Sequence, residues 1–398
     1  MTAEGAARRR VAFVVQRCGV EVNGGAELHC LHLAQRMARW WQTEVLTTCA
    51  LDYVHWDNFY EPGAVEIGAT TVRRFRVDEP RDVAAFDRLS CDIQWRNLQV
   101  DLATQENWMR AQGPLSEGLL EYIHANSDRY DAFIFFGYLY FPTYFGLPLV
   151  ASKAYLVPLA HDEWPIYMTM FDRLFASPRD IIFNTEAERA FLRRRLAGVP
   201  LEGKVIGVGV DEPPATKPED FRNRYALDGP LLLYVGRIDK SKGADVLLDY
   251  FIRAQEEGRL AHKLVLIGRD AMSIPFHDAI VHLGFVSEQE KWDAIAACDW
   301  LIVPSPHESL SIVLLEAWRA RRPALVNGRC EVLRAHCAES HGGLCYESYE
   351  EWLAALTSIT EDEREALGQQ GAAYVESRYS WSRIERDYLS LLGGGSAQ

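Results

Sequence analysis

Short apolar runs with almost no polar interruption recur along the chain, and each gives way to a stretch with helical spacing. VAFVV at residues 11–15, AFIFF at 132–136, LLLYV at 231–235 and KLVLI at 263–267 are of this kind. A strand that is apolar at consecutive positions has to be covered on both faces, as in a parallel sheet flanked by helices. After the first run, Leu28, Leu31, Leu33, Ala34 and Met37 supply an apolar helical stripe. EVLTT at 44–48 then completes a strand–helix–strand opening. The expected fold class is α/β with doubly wound, Rossmann-like sheets.

Strand-like runs continue at 154–157, 180–183 and 204–207, with a helical pattern over 186–196. A polar, proline-rich stretch at 211–218, DEPPATKP, then reads as a linker. A second series follows it, with runs at 231–235, 263–267, 280–284, 300–303 and 323–326. A chain of 398 residues suits two domains of moderate size. They are expected at 1–211 and 212–380, facing each other across a cleft at the carboxyl ends of their strands. The last pattern, over 381–392, is an amphipathic helix. Residues 53–122 have weaker periodicity and many aromatics, among them Trp56, Phe59, Tyr60, Trp95 and Trp108. Two readings stay open for them: an elaboration that carries specificity, or an insertion packed through its own rings.

The formal net charge is −14. Binding along a phosphate backbone needs a positive surface, so nucleic acid is not expected as a partner. The eight cysteines contain no C-x-x-C pair and sit mainly in apolar runs, the pattern of reduced, buried thiols. Cys330, His336, Cys337, His341 and Cys345 cluster in sequence, but their spacing fits no common zinc module, and no metal is expected. Arg8, Arg9 and Arg10 precede an apolar stretch too short for a secretion signal. No run approaches the ~20 apolar residues of a membrane span. A cytoplasmic protein is expected, with peripheral contact at the inner membrane as its closest approach to lipid.

Two familiar nucleotide signatures are missing. Residues 236–243, GRIDKSKG, lack the P-loop pattern, and Gly207 and Gly209 lack the third glycine of a dinucleotide fingerprint. The loop at 236–243 still puts Arg237, Lys240 and Lys242 just past a strand, with Gly243 opening a helix. Cations beside a helix N-terminus suit a diphosphate, although a solvated basic loop has the same composition. A second segment, VPSPHESLSIVLLEAW at 303–318, runs strand, turn, helix. Glu308 falls in the turn and Glu316 in the helix, at most about 12 Å apart at helical rise. Backbone N–H groups near Ser309, Leu310 and Ser311 are expected to be the free donors of the helix start. A carboxylate at Glu316 can accept from two vicinal hydroxyls, such as those of ribose.

The chain resembles the retaining glycosyltransferases of family 4, of GT-B fold. The likeness rests on Gly24, Gly25, Ala26 and Glu27, on HDEWP at 161–165 and on FNT at 183–185. It continues through VGRIDKSKG at 235–243 and the pair Glu308 and Glu316, all in the family's order. The resemblance implies that Arg237 and Lys242 hold the donor diphosphate, with Gly236 in the same loop. Glu316 would bind ribose, Glu308 would sit at the transferred sugar, and Ser309 to Ser311 would line the donor. Gly24 and Gly25 would bring backbone N–H groups close to phosphate or acceptor, and His161 would approach the sugar. No metal or other cofactor is implied, and the final helix, 381–398, would cross back onto the first domain. Where many members have Glu-Gly-Phe-Gly, this chain has Glu308, Ser309, Leu310 and Ser311.

The reaction implied is transfer of a sugar from a nucleoside diphosphate sugar, UDP- or GDP-linked, to an acceptor hydroxyl with retention of configuration. The acceptor expected from the aromatic stretch is a glycan or lipid-linked glycan, with Trp56 and Trp108 as stacking surfaces. Two alternatives share the fold: a nucleotide-sugar epimerase, and a nucleotide-sugar-binding protein without catalysis.

Overall fold

The computed structural model describes residues 8–22 and 24–393. Asn23, read as part of the turn before the first helix, lies outside the described residues. The chain divides into two compact units, one of residues 1–208 with 384–398, the other of residues 209–383. The sequence places these boundaries at 211/212 and 380/381.

In the first unit the strands are β1 (Arg10–Arg17), β2 (Gln42–Thr48), β3 (Gly63–Ile67), β4 (Thr70–Phe75), β5 (Ala132–Phe136), β6 (Ala154–Val157), β7 (Asp180–Phe183) and β8 (Gly203–Val205). They form an eight-stranded sheet in the order β3-β4-β2-β1-β5-β6-β7-β8. Only β3 runs antiparallel to its neighbour, as an exposed edge. The apolar runs occupy the middle, where β1 pairs with β5 from Val11↔Ala132 to Val14↔Phe135. Every residue of β5 is buried, which is why five consecutive apolar side chains are tolerated there.

The second unit holds β9 (Leu231–Val235), β10 (Lys263–Ile267), β11 (Ile280–Gly284), β12 (Trp300–Val303), β13 (Ala324–Asn327) and β14 (Gly343–Tyr346). These form a six-stranded sheet, β11-β10-β9-β12-β13-β14, parallel throughout. The central pair β9 and β12 comes from parts of the chain that are far apart. The strand order reverses between them, so the loops after β9 and β12 emerge side by side at the carboxyl edge, where open α/β sheets bind ligands. In the first unit the equivalent reversal lies between β1 and β5.

Residues 53–122 contain the β3–β4 hairpin and the helices Val83–Trp95, Leu102–Gln112 and Glu117–Ala125. Trp56 and Trp108 are each 1% exposed. Trp56 Nε1 donates to the Gln112 carbonyl at 2.8 Å and Trp108 Nε1 to Ser90 Oγ at 2.9 Å. The expectation that these two rings offer free stacking surfaces is therefore corrected: both are core, each with its polar edge satisfied from within. No helix among the described residues is long and apolar enough to cross a membrane.

Candidate active site

The loop after β9 is built around a carboxylate. Asp239, largely buried, accepts from Ser241 Oγ at 2.7 Å and from the Lys242 N–H at 2.9 Å, and pairs with Arg237 Nε. Burial alone would raise its pKa, but these partners outweigh burial and hold it below the usual carboxylate range. Arg237 Nη2 also reaches Ser241 Oγ at 3.0 Å, and the Tyr234 hydroxyl donates to the Arg237 carbonyl at 2.5 Å. Asp239 thus sets the direction of the arginine and the pitch of the short 3₁₀ turn Lys240–Lys242. Gly243 ends that turn at φ +72° and starts the helix Ala244–Glu256. A Cβ at Gly243 would collide with the Pro304 carbonyl oxygen, so the loops after β9 and β12 touch only because this residue is glycine.

The loop after β12 supplies the partner. Lys242 Nζ lies 2.7 Å from Glu308 Oε1, with the lysine side chain 36% exposed and the glutamate 16%. The turn is braced by Ser305 Oγ donating to the His307 carbonyl at 2.8 Å and by Asn327 Nδ2 donating to the Pro304 carbonyl at 3.0 Å. The helix that follows is Ile312–Arg319, one residue later than the donors expected at Ser309, Leu310 and Ser311. Ser311 is its N-cap and adopts φ 69°, ψ 81°, a left-handed conformation that favours glycine. Leu310 is buried. The Gly236 N–H is engaged with the Ile267 carbonyl at 2.9 Å, continuing the β9–β10 ladder.

Glu316, on the same helix, pairs with Lys291 Nζ at 2.8 Å, and Lys291 also reaches Glu288 at 2.9 Å. Burial pushes the Glu316 carboxyl up, and Lys291 offsets only part of that. Burial would depress Lys291, yet Glu316 and Glu288 hold it above its ordinary value. Lys291 is absent from the sequence reading; its one local signal is the i,i+3 spacing from Glu288. Cys330, His336, Cys337, His341 and Cys345 form no metal-binding group among the described residues, where the ligand atoms that converge are those of Asp52, His55 and Asp57.

In the first unit Gly24, in extended backbone, caps the helix Gly25–Met37. A Cβ on Gly24 would strike the Glu27 carboxylate, whereas Gly25 faces open space. Glu27 is buried against Arg17 Nε at 2.6 Å and Gln16 Nε2 at 3.0 Å. His161 follows β6, and its Nδ1 lies 3.7 Å from Glu163 Oε1, which accepts from the Tyr138 hydroxyl at 2.8 Å. The backbone before His161 is held by Glu188, a residue that the sequence reading passed over. Glu188 is 1% exposed and accepts from the N–H groups of Ala160 and Asn184, at 2.7 Å each. Burial raises its carboxyl to about 8 even though these N–H groups favour the charged form. Arg195, one end of the helix Glu186–Arg195, donates to the Ile166 carbonyl at 2.8 Å. One helix therefore fixes both ends of the segment that carries His161.

The structure thus brings Arg237, Lys242 and Glu308 together at the β9/β12 edge of the second unit, with Glu316 on the adjoining helix. His161 and Gly24 lie in the first unit, His161 beside the partly exposed carboxylate of Glu163 and Gly24 beside the buried one of Glu27. A pair of cations on a glycine-hinged loop can hold an anion that gains charge during a reaction.

Residues 216–374 match the family described as "Glycosyl transferases group 1". D-inositol 3-phosphate glycosyltransferase from Stackebrandtia nassauensis is 29% identical over 250 residues, 56% of this chain and 55% of that protein. The chain thus spans about half the length of the curated relatives it matches. Sucrose-phosphate synthase from Thermosynechococcus elongatus superposes with a TM-score of 0.72 at 17% identity, covering 96% of this chain and 98% of that one. Anabaena HepE in complex with UDP and glucose gives a TM-score of 0.67 at 14% identity, over 97% and 100%. The doubly wound pair of sheets is the GT-B fold, and residues 216–374, the stretch that matches the group 1 glycosyl transferases, carry both loops of the β9/β12 edge.

Proposed function

We propose that the chain transfers a sugar from a nucleoside diphosphate sugar to an acceptor hydroxyl with retention of configuration. The observation that carries this reading is the contact of Lys242 with Glu308 at 2.7 Å, at the carboxyl edge of the two central strands and next to Arg237. Arg237 and Lys242 would hold the diphosphate and stabilise the charge it gains as the leaving group, the largest single contribution in such chemistry. Glu308, released from Lys242, would accept from hydroxyls of the transferred sugar, and Glu316 from those of ribose. Gly236, Ser309, Leu310 and Ser311 would line the donor, and Gly24, Gly25 and His161 would act from the first unit. Neither a metal nor a covalent nucleophile enters this scheme; the departing diphosphate would take the acceptor proton on the same face. HepE in complex with UDP and glucose supports a UDP-sugar ahead of a GDP-sugar. The acceptor would be a glycan or lipid-linked glycan, met in the cytoplasm or at the inner membrane surface.

The test is a thermal-shift screen with UDP, GDP, TDP and their sugars, followed by product analysis. A ligand bound only by the folded chain at a hundred times its Kd adds about 2.7 kcal/mol of stability. A UDP-sugar is expected to raise Tm and to be consumed with its anomeric configuration kept in the product. An inverted product would overturn retention, and an epimerised donor without transfer would overturn the reaction class.

A further inference from the structure

We propose that a cavity in the first unit binds the acceptor as an unphosphorylated, hydroxyl-rich sugar ring; this rests on the glycosyl-transfer reading above. The cavity has a volume of about 490 Å³ and is lined by Phe86, Asp87, Gln94, Trp108, Gln112 and Trp164 among others. That volume falls in the range of small-molecule sites. One wall is aromatic. Its accessible ring is the partly buried Trp164, backed edge to face by the core ring of Trp108 at 5.3 Å between centroids, with Phe86 5.6 Å from Trp108. The other wall is polar: Asp87 brings a carboxylate, and the amides of Gln94 and Gln112 bring both donors and acceptors.

A pyranose matches such a site part by part. Its C–H face is apolar and flat enough to lie on an indole, while its rim carries hydroxyls that donate to a carboxylate. Place adds to composition. Trp164 is three residues after His161 on the segment that Glu188 and Arg195 hold in position. A ring bound on Trp164 therefore sits on the segment that carries a proposed reacting group.

Charge narrows the ligand further. Asp87 is the one charged residue lining the cavity among the described residues. Behind the wall Arg81 is engaged with the backbone: its Nε and Nη1 donate to the carbonyls of Gln112 and Tyr53, at 3.1 Å each. Its Nη2 donates to Gln112 Oε1 at 3.1 Å. A phosphate monoester, with a charge of about −1.5 to −2, would meet a carboxylate and no basic side chain in the lining.

The experiment is saturation-transfer NMR on the whole chain with methyl glucoside, mannoside and galactoside and with the three hexose 6-phosphates. Transfer kinetics follow with the nucleotide sugar that the chain consumes. Saturation is expected on at least one methyl hexoside, with KM at least tenfold lower than for its 6-phosphate. Trp164→Ala should raise that KM about tenfold or more, the effect of losing about 1.4 kcal/mol. Because Trp164 is partly core, Asp87→Lys at an exposed position serves as the second variant, and it should move the preference toward the 6-phosphate. Saturation on no methyl hexoside, a lower KM for the 6-phosphate, or an unchanged preference in Asp87→Lys overturns the proposal. Donor consumption separates the two readings. If no nucleotide sugar is consumed, glycosyl transfer itself fails; if one is consumed but the acceptor order is reversed, only the cavity assignment fails.

Discussion

Lys242 and Glu308 neutralise each other in the free chain, and this decides what their removal should do. The lysine is about a third exposed, so the ion pair contributes little to stability. Its value lies in keeping an ammonium at the carboxyl edge of β9. Lys242→Ala should lower donor turnover about a hundredfold or more with little change in the urea midpoint. Arg237→Ala should lower turnover as far but also lower the midpoint, since it takes a charge partner from largely buried Asp239. Steady-state kinetics on the donor, beside equilibrium unfolding, checks both halves; full turnover in the double variant would remove the two residues from the mechanism. Ser311 poses the opposite case. It holds φ 69° with a side chain, in a region that costs an ordinary residue about 1–2 kcal/mol. Ser311→Gly should therefore stabilise the second unit by about 1 kcal/mol, read as a higher urea midpoint at constant slope. The departure from the family's glycine is thus a strained residue at the start of the helix Ile312–Arg319, beside Glu308.

Helices act here as clamps as well as cover. The helix Glu186–Arg195 reaches back to Ala160 through Glu188 and to Ile166 through Arg195. Glu188→Ala leaves two buried N–H groups without their acceptor, a loss of about 3 kcal/mol. Urea unfolding should register that loss, and the amide of Ala160 should exchange faster with solvent. Glu188 also carries a pH signature. Its carboxyl has a folded pKa of about 8 against an ordinary 4.5, so between those values the folded chain binds a proton that the unfolded chain has released. Its contribution to stability is full below pH 4.5 and declines as pH rises through 8. The difference in unfolding free energy between wild type and Glu188→Gln, measured from pH 5 to 9, should fall along that window. A flat difference would mean that the carboxylate is already charged at pH 5.

At the scale of the molecule, burial holds histidines neutral in both units: His29 in the first, His262 and His336 in the second. In the first unit, burial pulls His29 down to about 3. In the second, burial pulls His336 down to about 4, and its Nδ1 meets the Tyr374 hydroxyl at 3.1 Å. Unfolded, both titrate near 6.5. Their contribution is present above that value and is lost as pH falls toward 4, by about 3 kcal/mol for His336. Calorimetry at pH 7 and pH 5 should show Tm falling in acid, and His336→Leu should remove part of the fall.

The local pattern alone was enough for the strands at 132–136, 231–235, 263–267 and 300–303, because burial on both faces forces consecutive apolar residues and leaves no other reading. It was also enough for the loops at 236–243 and 304–311, where glycine, proline and charge mark turns directly. β3 was not legible, since an edge strand with exposed residues shows no apolar alternation, and β14 is only four residues long and starts on a glycine pair, Gly342 and Gly343. Lys291, Glu188 and the inward turn of Trp56 and Trp108 were decided only by the tertiary structure. Their partners lie far along the chain: Glu316 is 25 residues from Lys291, Ala160 is 28 from Glu188, and Gln112 is 56 from Trp56. Periodicity records which face of an element is buried, but it does not record which distant residue comes to meet it there.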